Sequence, residues 1–296
     1  MTTAVDAAVD AAYGWAGTSA LARGVILLRA ASLLEARGET LRGVAILRYF
    51  ASEGAQPIGE VYPSANPATL LYTLHVPLWK IAPALVYGNT AVFKPAELTP
   101  LTATLLVEIL AEAGLPSGVL NLVVGQGSVI GPALTGDPRV TGVSFTGSNA
   151  VGRGIARTVG ERGGKVQLEL GGKNSVVVLA DADLDQAADL TVQGAMLSTG
   201  QKCTATSRAI VERAVLEPFT WKVMARVEAL VVGDPTDERT HVGPLASAAQ
   251  RDTVRAYLDL APREGAETLA GGILLDGPAY NGGYFVRPHR LRQRAS

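Results

Sequence analysis

Cysteine, aromatic residues and long apolar runs are all scarce in this sequence of 296 residues. The single cysteine, Cys203, excludes an intramolecular disulfide and a cysteine-ligated zinc cluster, so we expect a reducing compartment, the cytoplasm. No uninterrupted apolar run approaches the roughly 18 residues of a membrane span. No basic start precedes an apolar stretch at the N-terminus. The sequence therefore predicts no membrane partner and no secretory signal.

Excess charge of one sign is also lacking. Lysine and arginine number 26 against 27 aspartate and glutamate residues, for a net charge of -1. This balance excludes a strong general attraction to nucleic acid or to an anionic membrane, and we expect no nucleic-acid partner. What is present is apolar material, since 48% of residues are hydrophobic and 18% charged. The length and composition predict about two domains with a buried core.

Short β-rich apolar runs alternate with longer helical patterns along most of the chain. This alternation is typical of βαβ units around a parallel sheet, so the sequence predicts an α/β fold. Strands are predicted at 89–94, 119–125, 140–145, 165–169, 175–180, 207–214 and 284–289. Helices are predicted from Thr99-Pro100, over 128–134, from Ser148, from Asp181, and over 218–231 and 249–261. One or two amphipathic helices are predicted over 20–50 and an extended hairpin or arm over 58–77.

Two glycine-rich turns follow predicted strands, and each has two interpretations. The segment from Gly125 through Gly127 to Gly131 is one residue longer than the dinucleotide-binding fingerprint, so it is either a tight strand-to-helix turn or a variant ligand loop. The segment Gly147-Ser148 to Gly152 begins a helix, where backbone N–H groups and the Ser148 hydroxyl suit a phosphate. Ser148 is equally suited to a purely structural N-cap.

Lys94 and Glu97 lie at the carboxyl end of a predicted parallel strand and in the turn after it. Open α/β sheets bind ligands at this edge. Lysine offers donors to a ribose hydroxyl or a phosphate, and glutamate accepts from both hydroxyls of a ribose. The alternative interpretation is an ordinary solvated strand end.

Cys203 and Glu169 are the candidates for covalent and acid–base chemistry. A lone cysteine is often a small core residue, but Cys203 lies in the polar segment STGQKCT beside Lys202. Glu169 stands between two leucines at a strand end and before two glycines, an unusual choice for packing and a suitable position for a general base. The three histidines fall in unrelated contexts, so a triad with histidine is poorly supported.

Five segments, in this order and spacing, resemble the aldehyde dehydrogenase superfamily: WKIAPALVYGNTAVFKPAELTPLTA, EAGLPSGVLNLVVGQG, VSFTGSNAVG, LELGGKNSVVVLADADLD and GQKCTATSR. The resemblance covers almost the whole chain. It implies a Rossmann-like cofactor domain over 1–170, with an oligomerisation arm near 58–77, and a catalytic domain over 171–296 that is truncated at its C-terminus. A homo-oligomer is the family's assembly.

The resemblance also implies residue roles. Cys203 would be the nucleophile that attacks an aldehyde, and Glu169 the general base that activates water. Lys94 and Glu97 would contact the adenosine ribose, with Glu97 favouring NAD over NADP. Other positions are implied near the cofactor: Gly147, Ser148 and Gly152 at the phosphates, and Gly127 on the adenine side. The segments GQKCTATSR and RGVAILRYF look closest to branches that oxidise semialdehydes, among them 2-oxoglutarate semialdehyde.

The sequence departs from the family pattern between Leu78 and Trp79. The family has there an apolar strand and a turn ending in an asparagine followed by Phe-Pro. That asparagine donates to the oxyanion, and losing one such donor costs roughly 10² to 10³ in rate. About five apolar residues at roughly 1.5 to 3 kcal/mol each amount to about 10 kcal/mol, comparable to the whole stability of a typical domain.

Two further departures concern the helical region and the C-terminus. A stretch of the family is missing between Leu41 and Arg42, and the chain stops before the family's EEIFGP segment, whose glutamate binds the nicotinamide ribose. The basic tail from Arg287 is not typical of the family. Two hypotheses remain open from the sequence: an NAD-dependent aldehyde dehydrogenase acting through Cys203, or an inactive truncated remnant that at most binds nucleotide or a full-length relative. An unrelated cysteine hydrolase requires the ordered motifs to be coincidence.

Overall fold

The computed structural model describes residues 2–38, 41–53 and 72–292. They form a mixed α/β protein that divides into two compact units, residues 1–170 and 171–296. Among the described residues, no single helix is long and apolar enough to cross a membrane. Only the first two helices taken together, which are bent by 114° at the break between them, satisfy that test by length and composition.

The first unit opens with helices α1 (Thr2–Gly17), α2 (Ala20–Ala36), α3 (Leu41–Glu53) and α4 (Tyr72–Val86). The helices predicted over 20–50 are confirmed as α2 and α3, whereas α1 was not predicted. Buried Arg23 joins three of these helices, because its Nε donates to Val86 O at 2.7 Å and its Nη1 to Trp15 O at 3.3 Å. The indole of Trp15 in turn donates to Leu85 O at 3.1 Å.

The prediction of an extended arm over 58–77 is wrong for residues 72–77, the part of it that the structure describes. Residues 58–71 lie outside the described part of the chain, but 72–77 belong to helix α4. The helical period explains the outcome, since residues 78, 81, 82 and 85 follow the i, i+3, i+4, i+7 pattern and are all buried. The helix therefore runs without a break through the Leu78–Trp79 junction.

Three βα crossovers follow in the first unit, close to their predicted positions: β1 (Ala91–Phe93), α5 (Pro100–Glu112), β2 (Leu120–Leu122), α6 (Gly127–Gly136), β3 (Gly142–Gly147), α7 (Asn149–Glu161) and β4 (Lys165–Leu170). Pro100 occupies the first turn of α5, as predicted, where the missing N–H of proline costs nothing. Thr99 precedes it, but its side chain makes no capping bond. These crossovers confirm the parallel α/β class.

The strands that the structure describes in the first unit form two separate pairs. β1 is parallel to β2, with Ala91 opposite Leu120, and β3 is parallel to β4, with Thr146 opposite Glu169. A doubly wound sheet places its first strand between the second and the fourth. If β1 to β4 are the second to fifth strands of such a sheet, the two pairs have the expected order. Among the described residues, no strand joins β1 to β3.

The second unit contains β5 (Asn174–Val178), α8 (Leu184–Met196), β6 (Thr206–Val211), α9 (Leu216–Glu228), α10 (Ala248–Arg263), β7 (Glu267–Ala270) and β8 (Arg290–Arg292). Strands β5 and β6 are parallel, and β7 and β8 are antiparallel. Helices α8 and α9 pack apolar faces against β5 around fully buried Phe219. Asp183 caps α8 by accepting from Asp185 N at 2.9 Å and Gln186 N at 3.1 Å.

The strand predicted over 284–289 is wrong. Tyr284 and Val286 make only isolated bridges, to Leu245 and Leu274, and the strand β8 begins later, at Arg290. Pro288 explains the interruption, because a proline has no N–H to donate to a ladder. Strand β7, the partner of β8, was not predicted from the sequence.

Candidate active site

Cys203 is exposed on a loop between α8 and β6. Asn174, at the start of β5, holds this loop from the neighbouring strand. Its Nδ2 donates to Cys203 O at 2.7 Å and to Ala205 O at 3.4 Å. The sulfur-bearing residue therefore has a fixed backbone while its side chain remains accessible to a small molecule.

A second set of contacts fixes the loop on its N-terminal side. Thr199 Oγ1 donates to Gly243 O at 3.2 Å, and Gln201 Oε1 accepts from Ala246 N at 3.0 Å. Ser198 and Thr199 hold positive φ angles of 55° and 56°, which residues with a Cβ rarely adopt. Ser198 Oγ is buried and has no hydrogen-bond partner. Such backbone strain is typical of functional loops.

We expect Ser198→Gly to stabilise the protein by about 1 kcal/mol, because glycine removes both the left-handed strain and a buried hydroxyl without a partner. The thermal unfolding midpoint should rise by roughly 2 to 4 °C. Ser207→Gly, in the exposed interior of β6, is the matched control and should lower the midpoint, because glycine weakens a strand. A lower midpoint for Ser198→Gly would contradict the strain at this position.

Glu169 lies one residue before the end of β4, in the first unit, whereas Cys203 belongs to the second unit. Side chains alternate between the two faces of the strand, so Leu168 and Leu170 lie on the face opposite to Glu169. The two leucines are partly buried, whereas Glu169 is exposed. Gln167, on the same face, donates through Nε2 to Glu169 Oε1 at 2.8 Å. The carboxylate is thus accessible, and Gln167 holds one of its oxygens.

Lys94, Glu97 and Gly127 are brought together at the carboxyl end of β1 and the start of α6. Gly127 N donates to Glu97 Oε1 at 2.5 Å, and Lys94 Nζ donates to Pro95 O at 2.6 Å. A Cβ added to Gly127 would lie 3.4 Å from Glu97 Oε1 and 3.6 Å from Lys94 Cε. The three residues therefore lie together, with the Lys94 ammonium and the Glu97 carboxylate both bonded to the backbone of this crossover.

Gly147, Ser148 and Gly152 lie where β3 turns into α7. Ser148 is the N-cap of α7 and accepts from Val151 N at 3.3 Å. A Cβ on Gly152 would come within 2.5 Å of Leu170 Cδ2, so glycine allows α7 to approach β4 closely. A close approach of helix and strand is the packing role of the last glycine in dinucleotide-binding crossovers, and residues 148–151 at the start of α7 are exposed.

Sequence reasoning missed three residues around these sites: Asn174, Gln167 and Lys80. Asn174 directly follows the GGK segment at the start of a strand, and Gln167 shares the alternating face of Glu169. Lys80 is the one charged residue of α4, and its Nζ donates to Ser144 Oγ at 2.9 Å and Gln167 Oε1 at 3.1 Å. A single lysine in a largely apolar helix was the sequence feature that could have indicated a role for Lys80.

The structure and the site define an α/β protein with parallel strand pairs, glycine-bearing crossovers and an exposed cysteine on an anchored loop. The model of the aldehyde dehydrogenase family matches residues 72–293, and the chain belongs to this family. An alpha-ketoglutaric semialdehyde dehydrogenase of Bacillus subtilis (strain 168) is 42% identical over 322 residues, covering 96% of this chain and 66% of the relative. The chain thus spans just under two thirds of that relative's length.

Two solved structures are similar to the chain in fold. PnpE from Pseudomonas sp. WBC-3, solved in complex with nicotinamide adenine dinucleotide, is 34% identical with a TM-score of 0.89 and covers 97% of this chain and 67% of its own. An NADP dependent enzyme of E. coli is 29% identical with a TM-score of 0.86 and the same two coverages. Relatives of both cofactor types therefore share this fold.

The alignment with the Bacillus subtilis relative is longer than the stretch of this chain that it covers. It runs over 322 residues, whereas 96% of 296 residues is about 284, so about 38 aligned positions have no residue in this chain. This difference arises within the aligned region, apart from the ends of either protein.

Proposed function

We propose that the chain oxidises an aldehyde to a carboxylic acid with NAD, through a covalent intermediate on Cys203. The observation that carries the proposal is the Cys203 loop. It presents an exposed thiol on a backbone held by Asn174, Thr199 and Gln201. An accessible thiol on a fixed loop suits covalent catalysis.

In the proposed mechanism the Cys203 thiolate adds to the aldehyde carbonyl carbon and forms a thiohemiacetal. Loss of hydride from that carbon gives a thioester; NAD, when bound, supplies the acceptor for this hydride. Glu169 takes a proton from water, the water oxygen adds to the thioester carbon, the carbon–sulfur bond breaks, and the acid leaves. The backbone N–H of Cys203 stabilises the oxyanion, without the asparagine side chain that the family supplies.

The residues that would hold the cofactor are those at the two crossovers. Lys94 and Glu97 would bind the adenosine ribose, with Gly127 on the adenine side, and Gly147, Ser148 and Gly152 would lie at the phosphates. We propose NAD rather than NADP because the Glu97 carboxylate accepts from ribose hydroxyls and repels a 2′-phosphate. The contact between Gly127 N and Glu97 Oε1 supports this arrangement, since it places the carboxylate beside the residue on the proposed adenine side.

The proposed substrate is a semialdehyde, a small aldehyde that carries a carboxylate. The similarity to the Bacillus subtilis alpha-ketoglutaric semialdehyde dehydrogenase supports this class of substrate. The proposed location is the cytoplasm, where a single reduced thiol persists, and the proposed assembly is a homo-oligomer.

A second candidate function is that of a catalytically inactive family member that at most binds nucleotide or a full-length relative. The split between the β1–β2 and β3–β4 pairs favours it. So does the alignment, which has about 38 positions without a residue in this chain. We assign part of this difference to the strand and turn expected between Leu78 and Trp79, where α4 runs straight through.

The proposal is tested by incubating the purified protein with NAD and a panel of aldehydes, semialdehydes included, while NADH absorbance is followed. Turnover is expected about 10² to 10³ below that of an intact dehydrogenase, because one oxyanion donor is missing. NADH formation no faster than without aldehyde contradicts the proposal. Calorimetric titration with NAD then separates an inactive chain that binds nucleotide from one that has lost the cofactor site.

A further inference from the structure

We infer that Gln167 is a positioning residue for the Glu169 carboxylate, an inference that rests on the proposed role of Glu169 as the base. Gln167 and Glu169 lie two residues apart on the same face of β4. The Gln167 Nε2 donates to Glu169 Oε1 at 2.8 Å. This bond holds one carboxylate oxygen of Glu169, whose side chain is exposed to water.

The orientation of the Gln167 amide follows from its other partners. Lys80 Nζ donates to Gln167 Oε1 at 3.1 Å, and the Ser144 hydroxyl, opposite Gln167 on β3, donates to the same oxygen. A lysine ammonium has donors only, so the amide oxygen must face Lys80 and the amide NH₂ must face Glu169. Ser144 and Lys80 are themselves joined at 2.9 Å. The amide is therefore fixed from both ends.

Lys80, Ser144, Gln167 and Glu169 thus form one hydrogen-bonded chain, called the ladder below. Lys80 links this ladder to the core of the first unit. It lies on α4 between buried Leu78 and Ile81, so its backbone position is set by packing. Burial lowers the pKa of the Lys80 ammonium, and the nearby Glu169 charge acts against that shift. The hydrogen bonds from Lys80 to Gln167 and from Gln167 to Glu169 thus connect a packed helix to the proposed base. Ser144 holds Gln167 at a second point.

The test isolates the step in which Glu169 would act. With 4-nitrophenyl acetate, the Cys203 thiolate adds to the ester carbon, the bond to 4-nitrophenolate breaks with its electron pair, and an acetyl thioester forms. Water then adds to the thioester carbon, its proton passes to Glu169, the carbon–sulfur bond breaks, and acetate leaves. The burst of 4-nitrophenolate measures acylation, and the steady rate measures deacylation. No cofactor is needed.

Gln167→Met keeps the length of the side chain but has neither amide donor nor acceptor. We expect its burst to equal that of the wild type and its deacylation by water to fall about tenfold, since a misplaced group loses rate steeply. Deacylation by added hydroxylamine, which needs no general base, should be unchanged. Lys165→Met, on the same strand face, is the matched control and should leave both rates unchanged.

Each outcome decides one of the two proposals. A wild-type protein without a burst contradicts the proposed function, and this inference with it. A normal burst with unchanged deacylation in Gln167→Met contradicts only the inference. A fall in the hydroxylamine rate as large as in the water rate shows a general structural defect and also overturns it.

The contact between Lys80 and Glu169 is tested without turnover by measuring the pKa of Lys80, which is followed by the NMR chemical shift of its Cε during a pH titration. Glu169→Gln should lower the pKa of Lys80 further, because the carboxylate that raises it has been removed. The same titration curve in wild type and Glu169→Gln would place Lys80 and Glu169 apart and overturn the ladder. This readout stands whether or not the protein turns over an aldehyde.

Discussion

Inserting the missing strand and turn between Leu78 and Trp79 is expected to produce the largest gain in stability and activity. About five apolar strand residues contribute roughly 1.5 to 3 kcal/mol each on burial, and ordering their backbone costs about 1 to 2 kcal/mol per residue. The midpoints of these two ranges give a rise of about 4 kcal/mol in the free energy of unfolding. The added strand would pair with β1 and β3 and join the two strand pairs into one sheet.

The same insertion should raise the rate of NADH formation by about 10² to 10³, because it returns the asparagine donor to the oxyanion. The insert is the corresponding segment of the Bacillus subtilis relative, and denaturant unfolding followed by circular dichroism measures stability. An insert whose asparagine is replaced by alanine should keep the stability gain and lose most of the rate gain.

A glycine–serine insert of equal length is the matched control, because it lengthens the chain without apolar burial. This control insert should not raise the free energy of unfolding. The free energy should fall if the insert interrupts α4 between Leu78 and Trp79. Equal stability of the strand insert and the glycine–serine insert would contradict the assignment of the missing segment to the sheet. An insertion that raises stability but not the rate would contradict its role at the oxyanion.

Cys203→Ala is expected to reduce aldehyde-dependent NADH formation by about 10⁴-fold or more, to the level of the assay without protein. The thiol makes the covalent bond between protein and substrate in the proposed mechanism, and removing a nucleophile typically costs this much. Because Cys203 is exposed and its backbone is held by Asn174, the substitution should leave the unfolding midpoint nearly unchanged.

Thr204→Ala is the matched control for Cys203→Ala, since it removes a polar side chain from the adjacent exposed position. It should retain activity within a few-fold of the wild type. Activity of Cys203→Ala within tenfold of the wild type would show that another group forms the covalent intermediate. Loss of the folded state in Cys203→Ala, detected by circular dichroism, would instead contradict the accessible position of this side chain.

The βα crossovers of both units could be predicted from local patterns. Helix α5 begins at Pro100 as expected, and α7 begins after Ser148, which caps it. Both starts depend on residues within one turn of the helix, so the sequence nearby contains the needed information. The motifs that carry the family resemblance lie on these same crossovers.

The wrong predictions concern segments whose secondary structure depends on contacts with residues far away in the chain. The segment 72–77 continues a helix because Leu78 and Leu85 are buried in the first unit's core. Strand β8 begins after Pro288 instead of before it, and its partner β7 lies about twenty residues earlier in the chain. Pairing over such separations has weak local signals, since a strand is selected by its partner as much as by its own residues.

The sequence by itself determined the α/β class, the family resemblance and the candidate residues Cys203, Glu169, Lys94 and Glu97, because each depends on residue type and order. Only the tertiary structure decided that the described strands of the first unit form two separate pairs, and that Lys80 and Ser144 orient Gln167 toward Glu169. Lys80 and Gln167 are separated by 87 positions. The long side chain of Lys80 on α4 reaches Ser144 on β3 and Gln167 on β4, and local sequence patterns do not encode a contact between residues so far apart in the chain.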